Sequence, residues 1–136
     1  MGLWSEAAEN LLVGTAVQES GLTSLRQYGS GPALGLYQME PATHDDIYTN
    51  YLRFHPKLLS KVRRLMGSEP PELDQLATNL AYATAMARIH YLRVSEPLPD
   101  ATDLRGLALY WKHYYNTALG AGEVEQFVSN YERIEK

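Results

Sequence analysis

Breaks rich in proline divide the chain into segments whose apolar residues recur every three or four positions. The two clearest breaks are SEPPE at Ser68–Glu72 and SEPLPD at Ser95–Asp100. Apolar residues at this period, bounded by such breaks, are typical of helices and not of strands. We therefore predict an all-α fold of about six helices around a central helix. The predicted helices are Ser5–Glu19 with Ser5 as the cap, Pro41–Phe54, Pro56–Gly67, Leu73–Arg93, Leu104–Leu119 and Glu123–Ile134.

Single residues at the ends of these segments support the helix boundaries. Ser5 and Asp103 carry side-chain oxygens that can accept hydrogen bonds from N–H groups of a first turn. Gly21 can end the first helix in the left-handed conformation. The alanine-rich segment Leu73–Arg93 is the longest, so we predict that it is the central helix of the core.

Length and composition indicate one globular domain, residues 1–136. A chain of 136 residues can form one sizeable core, and no repeat or shift of composition marks a second domain. The net charge is -4 and the basic residues are scattered apart from KVRR at Lys61–Arg64. A nucleic-acid partner is therefore not expected. No apolar run approaches the roughly 18 residues of a membrane span, so membrane insertion is not expected either.

No residue pattern implies a metal site or a cofactor. The chain has no cysteine, which excludes disulfides, thiolate ligands and cysteine nucleophiles. Neither a G-x-S-x-G elbow nor a phosphate-binding P-loop is present. The histidines have none of the spacings typical of zinc ligands, and they are His44, His55, His90 and His113.

Glu19 is an ionisable residue on the apolar face of a predicted helix. Ala8, Leu12, Ala16 and Glu19 fall on one stripe of the first predicted helix. A carboxyl group on this face, at the end of a helix, has its pKa raised by desolvation and by the helix dipole. A pKa near 6 would suit a general acid. Periodicity leaves an alternative open, in which Glu19 turns outward at a fraying helix end.

Three short segments resemble the signature segments of the lytic transglycosylase family. ESGL at Glu19–Leu22 and GLYQMEPAT at Gly35–Thr43 are similar to the first two, and the pair Tyr115 and Asn116 is similar to the third. The segments follow one another in the family's order, and the resemblance covers nearly the whole chain. It implies the lysozyme-like fold, which the family shares with goose-type lysozyme.

The resemblance also implies roles for individual residues. Glu19 would be the catalytic acid, and Ser20 its hydrogen-bonding neighbour at the cleft. Gln38 would contact the sugar or its acetamido group. Tyr115 and Asn116 would line the opposite side of the cleft and orient the acid.

The implied substrate is the glycan strand of peptidoglycan. In this family the acid protonates the glycosidic oxygen between N-acetylmuramic acid and N-acetylglucosamine, and the muramic 6-hydroxyl closes a 1,6-anhydro ring. This reaction requires no cofactor and no second carboxylate, in contrast to most glycosidases. The sequence offers no obvious place for a second carboxylate.

The chain departs from the family pattern at three places. Tyr37 replaces the usual methionine, and we expect its ring to flank or stack on a sugar. Glu40 replaces an apolar residue and is interpreted as a helix-start charge rather than a catalytic base. Two extra residues precede the glycine turn after Asn116, which weakens the assignment of that residue.

The aromatic residues before Asn116 cover two adjacent faces of one predicted helix. We assign them to core packing, with Tyr115 excepted because it belongs to the family motif. They are Tyr110, Trp111 and Tyr114.

Two alternatives to a transglycosylase stay open. A goose-type muramidase would use the same acid and admit water in place of the 6-hydroxyl. A structural or wall-binding virion protein would keep the fold with little activity, because a fold does not imply an activity.

The place of action follows from the implied substrate, which lies in the cell wall or periplasm. The N-terminus lacks the basic start and apolar core of a secretion signal. We therefore expect either a virion-borne or bacteriophage-delivered protein, from a tailed bacteriophage, or a fragment of a larger exported protein, and we favour the viral origin as a hypothesis. Other virion or tail proteins are then expected partners.

Overall fold

Helices make up the architecture in the part of the chain that the computed structural model describes, residues 4–21, 33–66, 73–116 and 123–135. These ranges contain no β-strand, so the all-α prediction is confirmed there. None of their helices is both long and apolar enough to cross a membrane. A 3₁₀ turn occupies Leu52–Phe54, and the α-helices are α1 (Glu6–Ser20), α2 (Pro41–Asn50), α3 (Pro56–Leu65), α4 (Gln75–Thr78), α5 (Leu80–Leu92), α6 (Leu104–Tyr114) and α7 (Glu123–Glu135).

The predicted caps are confirmed at both helices for which they were proposed. Ser5 Oγ accepts a hydrogen bond from the N–H of Ala8 at 3.1 Å. Asp103 Oδ1 accepts one from the N–H of Gly106 at 2.9 Å. Gly21 ends α1 with φ at 63°, the left-handed conformation that glycine adopts without a steric penalty. These local signals place α1 and α6 correctly along the chain.

The prediction of one continuous helix over Leu73–Arg93 is wrong, because Asn79 divides it into α4 and α5. Asn79 has extended dihedral angles, φ -121° and ψ 99°. Its Oδ1 caps α5 by accepting from the N–H of Tyr82 at 3.1 Å, and its Nδ2 donates to the Leu65 carbonyl oxygen at 2.6 Å. An asparagine side chain competes with helical hydrogen bonding in this way. Leu80, counted in the apolar stripe, is 60% exposed just after the break.

Two other helices are shorter than predicted. The segment after Pro41 is an α-helix only to Asn50, where Tyr51 leaves helical geometry before the 3₁₀ turn. The helix that begins at Leu104 ends at Tyr114. The ends proposed at Gly67 and Leu119 lie outside the described residues.

The core surrounds α5, which confirms a central helix, although a shorter one than predicted. α5 packs against α1, α2, α3 and α4. One apolar cluster joins α2, α3 and α4 to one side of α5, and a second joins α1, α6 and α7 to Tyr91. Several buried residues of α5 are alanines, whose small side chains let other elements approach the helix closely. The buried residues of α5 are Tyr82, Ala83, Ala85, Met86, Ala87, Ile89 and Tyr91.

We expect Asn79→Ala to lower the free energy of unfolding by about 1–2 kcal/mol, because it removes the cap of α5 and the bond to Leu65. Chemical denaturation measures this loss. Asn50→Ala is the matched control, since the exposed Asn50 bonds to Asp46 one turn earlier and its replacement should change stability by less than about 0.5 kcal/mol. Equal losses in the two variants would contradict the capping role of Asn79.

Candidate active site

Glu19 lies in the last turn of α1 with its carboxyl group turned toward the interior. Its side chain is half-buried, on the same face as the buried Ala8 and Ala16. Glu19 Oε2 accepts a hydrogen bond from Trp111 Nε1 at 3.0 Å. The structure therefore favours the inward position of the acid over the outward alternative.

Burial raises the pKa of Glu19 to about 7 from an ordinary value of 4.5. Desolvation is the largest cause, and the negative charge of Glu123 adds to it. The hydrogen bond from Trp111 and the positive charge of Lys112 act in the opposite direction. The upward direction predicted from the sequence is confirmed. A carboxyl group with this pKa is close to half protonated at neutral pH, so it can give a proton and take one back.

Two tyrosines lie beside the acid. Burial raises the pKa values of the Tyr91 and Tyr115 hydroxyls well above the ordinary value of tyrosine. The charge of Glu19 contributes to both shifts. The Tyr115 ring stacks on that of Tyr91 with centroids 5.2 Å apart. The Tyr91 hydroxyl shares a 2.7 Å hydrogen bond with Thr15, one turn before Glu19 on α1. Aromatic side chains thus border the acid.

The segment GLYQ forms a tight turn that is fixed against α4. Leu34 and Met39 pair across its base through two backbone hydrogen bonds of 2.9 and 3.0 Å. Gly35 has φ at 81°, and a Cβ atom there would lie 1.8 Å from the Leu76 carbonyl oxygen, so only glycine fits. Gln38 has φ at 47° and its Nε2 donates to the Gly35 carbonyl oxygen at 2.8 Å. A left-handed glutamine is strained, and such strain is concentrated at functional sites.

Tyr115 joins this turn to the site of the acid. Its hydroxyl donates to the carbonyl oxygen of Tyr37 at 2.6 Å. The ring of Tyr37 is buried among alanines of α1 and α5, and its hydroxyl shares a 3.0 Å bond with Thr84. Tyr37 is thus buried, and its expected role of flanking or stacking on a sugar stays a prediction. Tyr115 bonds to the backbone of Tyr37 and also packs against the apolar cluster that contains its ring.

Ser20 follows the acid along the chain, and Asn116 bonds to the helix that carries Trp111. Ser20 is buried and its Oγ donates to the Ala16 carbonyl oxygen at 2.8 Å. The backbone N–H of Asn116 donates to the Trp111 carbonyl oxygen at 2.9 Å. Asn116 therefore sits just beyond the helix that carries the donor to Glu19. Its role toward a substrate, like that of Ser20 and Gln38, stays a prediction.

Three residues at the site were missed by the sequence analysis. Trp111 was assigned to the core, and it is fully buried, yet its N–H is the group that holds Glu19. Lys112 and Glu123 form an ion pair at 2.5 Å, which brings a second carboxylate near the acid. Trp111 lies one turn before Tyr115, so the shared helix face was an available signal. Nothing local signalled Glu123.

Glu40 is exposed at the N-cap of α2, as expected of a helix-start charge. Within the described ranges, no three His, Asp or Glu side chains are grouped so that they could hold a metal ion. Among the described residues, Glu19 is the carboxyl group whose pKa burial raises.

No protein-family model, curated protein or solved structure matches this chain. The likeness to lytic transglycosylases therefore rests on the three sequence segments alone. What the structure adds is a site of a general class, a half-buried carboxyl group that titrates near neutral pH beside aromatic rings.

Folding stability should depend on pH through Glu19. The folded chain binds this proton more tightly than the unfolded chain, so its contribution is complete below about pH 4.5 and is lost as the pH rises through about 7. The loss is about 3 kcal/mol. Glu19→Gln has no such proton. Between pH 4 and pH 8 its free energy of unfolding should therefore rise relative to that of the wild type, by up to the same amount.

The measurement is the difference in free energy of unfolding between Glu19→Gln and the wild type, taken at several pH values. The comparison of the two proteins is needed because it cancels the contribution of His90, which changes stability with pH in the opposite direction. Burial and the charge of Arg93 lower the pKa of His90 to about 4, so its contribution grows as the pH rises from about 4 to 6.5. A difference that is independent of pH would contradict the raised pKa of Glu19.

Proposed function

We propose that this protein is a peptidoglycan lytic transglycosylase with a lysozyme-like fold, in which Glu19 is the single acid and base. The observation that carries the proposal is the Glu19 carboxyl group, held by Trp111 at 3.0 Å with a pKa of about 7. The segments around Glu19, Gln38 and Tyr115 supply the substrate class through their resemblance to the family. The glycan strand of the cell wall is the proposed partner, and no cofactor is required.

The proposed reaction consists of two proton transfers around one carboxyl group. Protonated Glu19 gives its proton to the glycosidic oxygen, and the bond from that oxygen to C1 of N-acetylmuramic acid breaks. The 6-hydroxyl oxygen of the same muramic residue then bonds to C1 and closes the 1,6-anhydro ring. The hydroxyl proton returns to the Glu19 carboxylate, which restores the acid. A pKa near neutrality suits both transfers.

The surroundings of Glu19 support this use of a single acid. The second carboxylate, Glu123, is paired with Lys112 at 2.5 Å, so it is held as an ion pair rather than offered as a nucleophile. The desolvation that raises the pKa of Glu19 favours attack by the sugar's own hydroxyl over attack by water. The Tyr115–Tyr37 hydrogen bond fixes the turn that carries Gln38, the proposed contact to an acetamido group.

The test is mass spectrometry of the soluble fragments released from purified peptidoglycan by the wild-type protein. Anhydro-muramyl ends are expected. Fragments heavier by one water would replace the proposal with a muramidase that uses the same acid. No release from a folded protein would overturn the enzymatic proposal and favour a wall-binding protein, which a peptidoglycan pull-down would then detect.

A further inference from the structure

One oxygen of the Glu19 carboxyl group, Oε2, has a fixed hydrogen-bond donor. Oε2 accepts from the indole N–H of Trp111, whose side chain is fully buried. An indole nitrogen can only donate a hydrogen bond. The carbonyl oxygen of a neutral carboxyl group is a better acceptor than its hydroxyl oxygen, so the N–H of Trp111 favours a neutral Glu19 whose proton is on Oε1.

Trp111 is fixed by contacts that reach across three helices. Its ring packs on that of Phe127 of α7, with centroids 5.4 Å apart. Phe127 in turn lies directly over Gly14 of α1, where an added Cβ atom would be 2.2 Å from its ring. Gly14 and Glu19 belong to the same helix, so α1 presents the acid to an indole that α7 holds from the other side. The N–H cannot follow a different carboxyl oxygen without repacking this contact.

We propose that Trp111 is the positioning residue of Glu19, which reserves Oε2 as an acceptor and so makes Oε1 the oxygen that carries and delivers the proton. The part about delivery rests on the proposed function, whereas the assignment of the oxygens rests on the geometry alone. The expected benefit is orientational, because a proton donor acts only from a defined position relative to the bond that breaks. Trp111 itself touches no reacting atom.

The chain offers a direct probe of this arrangement in the wild-type protein, because it has only two tryptophans. An amide correlation NMR spectrum of ¹⁵N-labelled protein shows one indole N–H signal from each. We expect the signal of Trp111 to shift with pH, with a midpoint near 7 that matches the ¹³C titration of the Glu19 carboxyl group. Trp4, which is 74% exposed, is the internal control and should show no transition near that pH.

Two variants complete the experiment. Glu19→Gln should abolish the pH-dependent shift of the Trp111 signal. Trp111→Phe keeps an aromatic ring and removes the N–H, so the pKa of Glu19 should move upward, because the lost bond favoured the carboxylate. The turnover number should fall roughly 10- to 100-fold, as expected for a hydrogen bond to a charged group, with a smaller change in KM. Tyr114→Phe on the same helix is the control for an aromatic substitution.

The outcomes separate this inference from the proposed function. A Trp111 signal that does not titrate with Glu19 would overturn the positioning role, whether or not the protein cleaves peptidoglycan. If the signals titrate together and the pKa of Glu19 rises in Trp111→Phe, Trp111 is the hydrogen-bond donor that positions Glu19 even in a protein inactive on peptidoglycan. In that case only the glycosidic substrate would be wrong. The wild-type titration decides the matter even if Trp111→Phe fails to fold.

Discussion

Glu19→Gln is expected to lower the rate of peptidoglycan cleavage roughly 10²–10⁴-fold, the range typical of a positioned proton donor. The substitution preserves shape, and the amide oxygen of glutamine can still accept from Trp111 Nε1. What the variant lacks is a group that can release a proton and later recover it. The loss should therefore appear in the turnover number rather than in binding of the glycan strand.

Release of soluble muropeptides over time measures this loss, with folding verified by circular dichroism. Glu40→Gln is the matched control, since Glu40 is an exposed acid at the N-cap of α2 and should leave the rate unchanged. A folded Glu19→Gln protein that cleaves at the wild-type rate would remove Glu19 from the acid role. An equal loss in Glu40→Gln would point to a second acid in the cleft.

Phe127→Ala is expected to lower the free energy of unfolding by about 3–5 kcal/mol, as for other large side chains removed from a core. Phe127 is fully buried and fills the space between Trp111 and Gly14. Neither neighbour can close the resulting cavity, because Gly14 has no side chain and Trp111 is held by its bond to Glu19. A loss of this size is a large fraction of the stability of a small protein.

Chemical denaturation of Phe127→Ala and of a control variant measures this effect. Ile134→Ala is on the same helix, but Ile134 is 44% exposed and its removal should change stability by about 1 kcal/mol or less. Similar losses in the two variants would contradict the docking of α7 on α1 and α6. The indole N–H signal of Trp111, recorded in Phe127→Ala over the same pH range, would show whether its pH-dependent shift requires the Phe127 side chain.

The helical class and many helix ends could be predicted from the sequence because their causes are local. Ser5 and Asp103 cap helices within three residues of themselves, and Gly21 needs only its own backbone to end α1. The inward position of Glu19 was suggested by its spacing from Ala8 and Ala16, which is again a property of one helix.

Asn79 shows where local reasoning was insufficient. The apolar period runs through it, yet its side chain bonds to Leu65, 14 residues earlier, and begins a new helix. An asparagine within an apolar pattern is compatible with either state, and a tertiary partner decided between them.

The sequence by itself determined that this chain is helical, which residues cap its helices, and that one acid shares a buried face. Only the tertiary structure decided what that acid contacts. Trp111 is 92 residues from Glu19 along the chain, and Glu123 reaches the site through its pairing with Lys112. The pKa of Glu19 depends on desolvation and on these partners together. Such effects arise between helices that meet only when the chain has folded, so no period or motif within one segment encodes them.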